Sequence, residues 1–328
     1  MRHITDNLHL NARIIKIIVI GIIGGSSLCS LIYIISSLLL LTYFHFSQSP
    51  NEVIVHRVIS DDPGLEELWT HSNVIERGDF FEMAAAQKTV FLLGKSTFLE
   101  TGTVFAIDAS DGETQLWQDR GPSLNGQGIL YATSKALYVG TLGRAYLTAY
   151  DLRTGKRLWS QRLIPAERGV DSIYVVNDKI YVSATNVQFI LQADTGKILG
   201  TFDLEKPLPS DFKLEYLYDP IITENVSFVW DPGLTTVRAI DRQTDHDLWE
   251  INNSASNPAA TESAVYLLTT EGALLSLDLQ SGEVLASVQF DKPSAGYVAV
   301  DQDFGLLYVY LYDNDQLFAF KIVDYMPN

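Results

Sequence analysis

Beyond residue 65 the chain alternates short apolar runs with clusters of Asn, Asp, Gly and Ser. Residues 129–132, 136–139 and 145–150 are rich in Ile, Leu, Val, Tyr and Ala, 157–163 is a fourth run, and turn-forming segments such as Ser134-Lys135 and Thr154-Gly155 separate them. Residues 174–176 and 180–182, split by Asn177-Asp178, begin the same pattern again. Short β-rich runs punctuated in this way predict antiparallel hairpins. The N-terminus is written differently. Between Ile17 and Phe44 there is no charged residue, and Ile and Leu dominate. About 20 apolar residues cross a hydrocarbon core, and a run past roughly 18 reads as a spanning helix rather than a buried core helix. The pattern predicts a transmembrane helix over 17–44, with Gly21, Gly24 and Gly25 tolerated in that setting.

The hairpin region carries an internal repeat, Ala-x-Asp-x-x-Thr-Gly-x-x-x-Trp. The fullest copy runs from Ala149 through Asp151, Thr154 and Gly155 to Trp159. A second places Ala106, Asp108, Gly112 and Trp117 in these roles, with one extra residue before the Trp. A third has Ala239, Asp241 and Trp249, with Asp245 in the glycine slot. A fourth has Ser276, Asp278 and Gly282 and ends on Leu285-Ala286. A fifth has Ile190, Gln192 and Gly196 and ends on Leu199-Gly200. The Asp-slot positions, with Lys321 as the last, are separated by 43, 41, 49, 37 and 43 residues. A period of about 40–45 residues is one four-stranded propeller blade. Six copies therefore predict an all-β propeller of six blades, with seven as the alternative.

Each repeated residue has a local physical reason. The glycine closes a tight turn that needs positive φ. The aspartate accepts backbone N–H bonds within that turn. The tryptophan covers a neighbouring blade, and the small residue two before the Asp is expected to leave room for a ring from next door. Trp69, Asp108, Gly112, Trp117, Asp151, Gly155, Trp159, Gly196, Asp241, Trp249, Asp278 and Gly282 are accordingly the structural repeat residues. The last unit, 297–323, has three strands and no fourth, while 65–69 is a spare motif-like strand ending in Trp69. Pairing the two would close the ring and remove an exposed edge. The first blade is expected over 80–118.

These residues resemble the PQQ-like repeat, the tryptophan-docking motif of quinoprotein dehydrogenase-type and BamB-like propellers, a WD40/YVTN/quinoprotein-like architecture. The resemblance covers roughly residues 65–323 and implies either a non-catalytic scaffold or a quinone enzyme. The enzymes resemble one another in an adjacent-cysteine disulfide, a Trp beneath the quinone, and a Glu/Asn/Asp calcium cluster with a catalytic Asp. Here the one cysteine is Cys29, inside the apolar run. Trp230 is the one tryptophan outside the docking positions, and at a strand end it reads as a packing aromatic. No catalytic, cofactor-binding or metal-binding residue is assigned, and no cofactor is expected. His56, His71 and His246 lack paired metal spacing. Asp313-Asn314-Asp315 lacks the later residues of a calcium loop and reads as a hairpin turn.

Charge narrows the partner class. The net charge is −17, and the chain beyond residue 50 sits near −19 once Arg2, Arg13, Lys16 and Asp6 are set aside. An acidic surface repels phosphates, which argues against nucleic acid. Arg2, Arg13 and Lys16 precede the apolar run, whereas Glu52, Asp61 and Asp62 follow it. The asymmetry predicts a cytoplasmic N-terminus and an extracytoplasmic propeller. A cleaved signal peptide fits less well, because the run is too long and Pro50 follows the Ser47-Gln48-Ser49 candidate site. The expected organisation is a tail over 1–16, a single-pass anchor over 17–44, a linker over 45–64, the propeller over 65–323 and a tail over 324–328. The expected function is a membrane-anchored, non-catalytic protein-binding scaffold, with envelope assembly as the context the resemblance implies. The alternatives are a quinone-dependent enzyme and a small-ligand sensor.

Overall fold

The computed structural model describes residues 55–56, 64–72, 78–96, 102–120, 128–141, 145–164, 169–204, 221–223, 225–231, 233–290 and 295–323. The chain divides into two compact units, Met1–Asn51 and Glu52–Asn328. The tail over 1–16 and the expected helix over 17–44 lie outside the described residues, and among the described residues no helix is long and apolar enough to cross a membrane.

The second unit is a six-bladed β-propeller. Two strands come first, β1 (Val55–His56) and β2 (Leu65–Ser72), and both serve late blades. Blade 1 is β3 (Gly78–Ala86), β4 (Thr89–Ser96), β5 (Gly102–Asp108) and β6 (Gln115–Asp119). Blade 2 is β7 (Gly128–Ala132), β8 (Leu137–Thr141), β9 (Tyr146–Tyr150) and β10 (Arg157–Arg162). Blade 3 is β11 (Ser172–Val176), β12 (Lys179–Ala184), β13 (Val187–Gln192) and β14 (Ile198–Asp203). Blade 4 is β15 (Ile221–Ile222), β16 (Val226–Asp231), β17 (Thr236–Asp241) and β18 (Asp247–Asn252). Blade 5 is β19 (Ala259–Ala260), β20 (Ala264–Leu268), β21 (Ala273–Asp278) and β22 (Val284–Phe290), and β1 pairs on its outside through Val55↔Phe290 and His56↔Gln289. Blade 6 is β23 (Gly296–Asp301), β24 (Leu306–Leu311) and β25 (Gln316–Ile322), completed by β2.

The ends of the chain therefore share a blade. β2 runs antiparallel to β25 from Leu65↔Ile322 to Ser72↔Gln316, with a bulge between Glu67 and Trp69. The strand is longer than the spare 65–69 motif, because polar His71 and Ser72 continue the ladder. Blade 1 likewise begins at Gly78 and ends at Asp119, slightly outside the expected bounds.

Strand alternation sends successive side chains to opposite neighbours. On β5, Val104 and Ala106 pack with blade 2, and Phe105 and Ile107 with blade 6. The core is thus a series of apolar seams between blades, with Leu92, Leu93, Val104 and Ala106 all at 0% exposure. One sequence expectation changes here. The small motif residue pairs across the ladder with the tryptophan of its own blade: Ala106↔Trp117, Ala149↔Trp159, Ala239↔Trp249 and Ala319↔Trp69. It makes room for the ring at home, since directly opposed residues lie only about 4.5–5.5 Å apart.

Candidate functional site

Four seams share one docking device. Trp69, Trp117, Trp159 and Trp249 each stand on the outermost strand of a blade and donate Nε1–H to a carbonyl in the next blade's turn. The acceptors are Ala109 at 3.0 Å, Leu152 at 2.8 Å, Ala193 at 3.0 Å and Leu279 at 3.0 Å. Each acceptor directly follows a repeat position, namely Asp108, Asp151, Gln192 or Asp278. The indole ring lies against the turn glycine. A Cβ added to Gly112 would meet Trp69 at 2.5 Å, one on Gly155 would meet Trp117 at 2.5 Å, and one on Gly282 would meet Trp249 at 2.8 Å; Gly196 is closer still to Trp159. These glycines also have φ between +65° and +70°. Two independent constraints, handedness and contact, thus select Gly at the same place.

The repeat aspartates are spent on the turns. Asp151 Oδ1 accepts the Thr154 amide at 2.8 Å and its hydroxyl at 2.6 Å. Asp241 Oδ1 accepts the amides of Gln243 and Thr244, Asp278 Oδ1 those of Gln280 and Ser281, and Asp108 Oδ1 that of Ser110. The Thr154 hydroxyl bond holds the Asp151 carboxyl below the usual carboxylate range, and the Thr244 and Ser281 amides do the same for Asp241 and Asp278. Gln192 replaces the aspartate in blade 3 and donates its amide to Asp178 Oδ2 at 3.1 Å.

The joint between blades 6 and 1 has a second fastening. The β3–β4 turn, Gln87-Lys88, has positive φ at both residues. Its Lys88 amide donates to the carboxylate of Asp301, 1% exposed, at 2.7 Å, and Gln87 Nε2 donates to Asp303 Oδ2 at 2.7 Å. Lys88 Nζ sits 4.6 Å from the centre of the Phe304 ring. Burial pushes the Asp301 carboxyl up. At the opposite end of β24 lies an aromatic group. Tyr297 and Tyr312 meet edge to face at 5.1 Å, Tyr310 and Tyr312 at 5.9 Å, and the Tyr310 hydroxyl donates to Asp315 Oδ1 at 2.9 Å. Burial raises Tyr297, Tyr312 and Asp315. Sequence reading missed this group, although Tyr308 and Tyr310 stand at the period-2 spacing of one strand face and Tyr312 follows directly after that strand. The segment 313–315 read as a hairpin turn is the β24–β25 connection, a 3-10 turn over Tyr312–Asn314 closed by Asp315 at φ +49°.

Trp230 is half-buried against the core between blades 4 and 5, and its indole N–H has no acceptor among the described residues. Among the described residues no group of three or more His, Cys, Asp or Glu side chains has the disposition to hold a metal. The repeat therefore brings together packing and turn residues, while the exposed surface lies on loops and outer strands. Leu234 at 70%, Leu158 at 51% and Phe304 at 42% exposure are prominent on it.

Comparison with known proteins agrees with this geometry. A family model described as "Outer membrane protein assembly factor BamB" matches residues 61–184 and again 143–319. The crystal structure of BamB from Moraxella catarrhalis superposes with a TM-score of 0.50 at 11% identity, covering 80% of this chain and 99% of that one. A computationally designed protein, Ika8, is also similar, with a TM-score of 0.38 at 11% identity over 74% of this chain and 71% of that one. No curated protein matches the sequence.

Proposed function

We propose, for a chain that belongs to the BamB family of PQQ-like propellers, that it is a membrane-anchored, extracytoplasmic scaffold that binds protein partners in outer-membrane assembly. The observation that carries this reading is the family match across residues 61–319 on a ring whose repeat residues are consumed by packing and turns. The four docked tryptophans build a rigid frame, and the variable loops are left to make contacts, the usual division between scaffold and binding loops. The uncharged run over 17–44 and the basic residues before it support an uncleaved anchor with the N-terminus in the cytoplasm. The sequence also lacks the adjacent cysteines that quinone-dependent relatives use, which supports a non-catalytic role.

The test is affinity purification of the tagged full chain from native membranes, with mass spectrometry of what co-elutes. Stoichiometric recovery of an envelope assembly component is expected. Recovery of the chain alone, together with saturable PQQ binding and dye-linked oxidation of an alcohol or sugar, would favour the enzyme instead.

A further inference from the structure

The stretch Tyr308-Val309-Tyr310-Leu311-Tyr312 carries aromatic rings along β24 and into the turn that follows it. Alternation along β24 sends Tyr308 and Tyr310 toward blade 1, where both join the apolar seam. Tyr312 has left the strand. It is 37% exposed, yet its ring is braced by Tyr297 at 75° and by Tyr310 at 87° between planes. Tyr297 and Tyr310 are themselves directly opposed across the β23–β24 ladder. Tyr297 and Tyr312 also share a hydrogen bond through their hydroxyls. Rings fixed in this way lose little further freedom when a side chain docks on them.

Carboxylates gather at the same turn. Asp315 closes it at φ +49°, a conformation that aspartate adopts more readily than most residues with a Cβ. Its Oδ1 accepts the Tyr310 hydroxyl, which uses one of the about four acceptor positions of a carboxylate. Exposed Asp313 lies within the turn. Glu82 comes from β3 of blade 1, at the bulge between Phe80 and Glu82. Burial is the main cause that raises Tyr297 and Tyr312, and the charge of Glu82 adds to it at both, which puts this carboxylate near both rings. The phenols therefore stay neutral at physiological pH. Among the described residues no group of three or more carboxylates converges as a metal requires.

On the scaffold reading above, we propose that Tyr312 and Asp315 hold an arginine side chain of the protein partner. The face of an aromatic ring attracts a cation, and an adjacent carboxylate adds a charged acceptor. Guanidinium uses both at once. It is planar, stacks on the ring, and donates N–H bonds in its own plane to the carboxylate. The compact ammonium of lysine is more strongly hydrated and makes less contact with a ring. The charge of the surface has the matching sign: the chain beyond residue 50 sits near −19, which steers a basic segment toward it. Tyrosine and arginine are also the residue types that anchor protein interfaces.

The test puts 3-fluorotyrosine in place of Tyr312 in the full chain, held in detergent micelles, and follows its fluorine resonance. Nα-acetylarginine amide is expected to shift it saturably. The lysine analogue should bind about threefold more weakly or worse. Neutral Nα-acetylcitrulline amide keeps the shape without the charge and should bind about tenfold more weakly or worse. Asp315→Asn still accepts the Tyr310 hydroxyl and suits the left-handed turn, and should weaken arginine binding about fivefold. If this variant does not fold, the comparison of arginine with citrulline amide on the parent decides alone. No saturable shift, or an equal response to citrulline amide, would overturn the inference; so would tighter binding of phosphocholine, which would assign the site to a lipid headgroup. Affinity purification of the full chain from native membranes separates this contact from the scaffold reading. A partner recovered by the parent and reduced about fivefold or more with Tyr312→Leu supports the contact. A partner recovered equally by both removes it and leaves the scaffold standing.

Discussion

The docking of Trp117 on Gly155 allows a quantitative prediction. Trp117 is 9% exposed, stacks on Tyr150 at 6.0 Å with 16° between planes, and donates to Leu152 O at 2.8 Å. Trp117→Ala should cost about 3–5 kcal/mol, as for a buried large aromatic. Gly155→Ala faces two penalties. The turn holds φ at +65°, which costs a residue with a Cβ roughly 1–2 kcal/mol, and the new methyl would lie 2.5 Å from Trp117 Cδ2, an overpacking cost of about 1–3 kcal/mol. When Trp117 is already Ala, the overpacking vanishes and only the conformational penalty remains. The double variant should therefore be less destabilised than the sum of the single ones by about 1–3 kcal/mol. Urea unfolding of residues 52–328 and its variants supplies the four stabilities of this cycle. Additivity within about 0.5 kcal/mol would refute the claim that this ring and this glycine share one contact.

Three further outcomes follow from the same geometry. A fragment beginning at residue 71 loses most of β2 with Trp69 and should melt about 10 °C or more below one beginning at residue 61; equal melting temperatures would contradict closure by β2. Asp151→Ala removes two bonds within an exposed turn and should cost only about 1 kcal/mol in urea unfolding, well under Trp117→Ala. Burial raises the folded pKa of Asp301, so its contribution is fully present below the unfolded value near about 3.9 and is lost as pH rises through the folded one. Asn can still accept the Lys88 amide without carrying charge, so Asp301→Asn should gain in melting temperature relative to the parent as pH rises from about 4 to 7; a pH-independent difference would count against a buried ionised Asp301.

What sequence reading recovered was whatever the period and the ladder determine locally. The repeat spacing located the turns at Asp108, Asp151, Gln192, Asp241 and Asp278, and the surplus strand ending in Trp69 located the closure. Contacts between blades were less visible, because they join residues that no local pattern relates. Asp301 meets Lys88 from 213 positions away, and the two-residue β1 is too short to carry an alternation signal. The role of the small motif residue was misjudged for a related reason: its partner depends on cross-strand register, which bulges such as the one between Arg157 and Trp159 adjust. The exchange of Ile190 and Gly200 for the usual small and large pair was present in the sequence, but acquires meaning only once the two strands are seen side by side.

The central claim, that the ring is a protein-binding scaffold at the outer face of a membrane, is tested most directly by site-specific photo-cross-linking in intact cells. Photoreactive residues at Leu234, Phe304 and Leu158 sample three exposed regions of the ring. The scaffold account predicts a discrete cross-linked partner belonging to the envelope assembly machinery from at least one position, lost when Trp117→Ala loosens the frame. Absence of any protein adduct from a well-expressed, folded chain, or adducts only with cytoplasmic proteins, would contradict it.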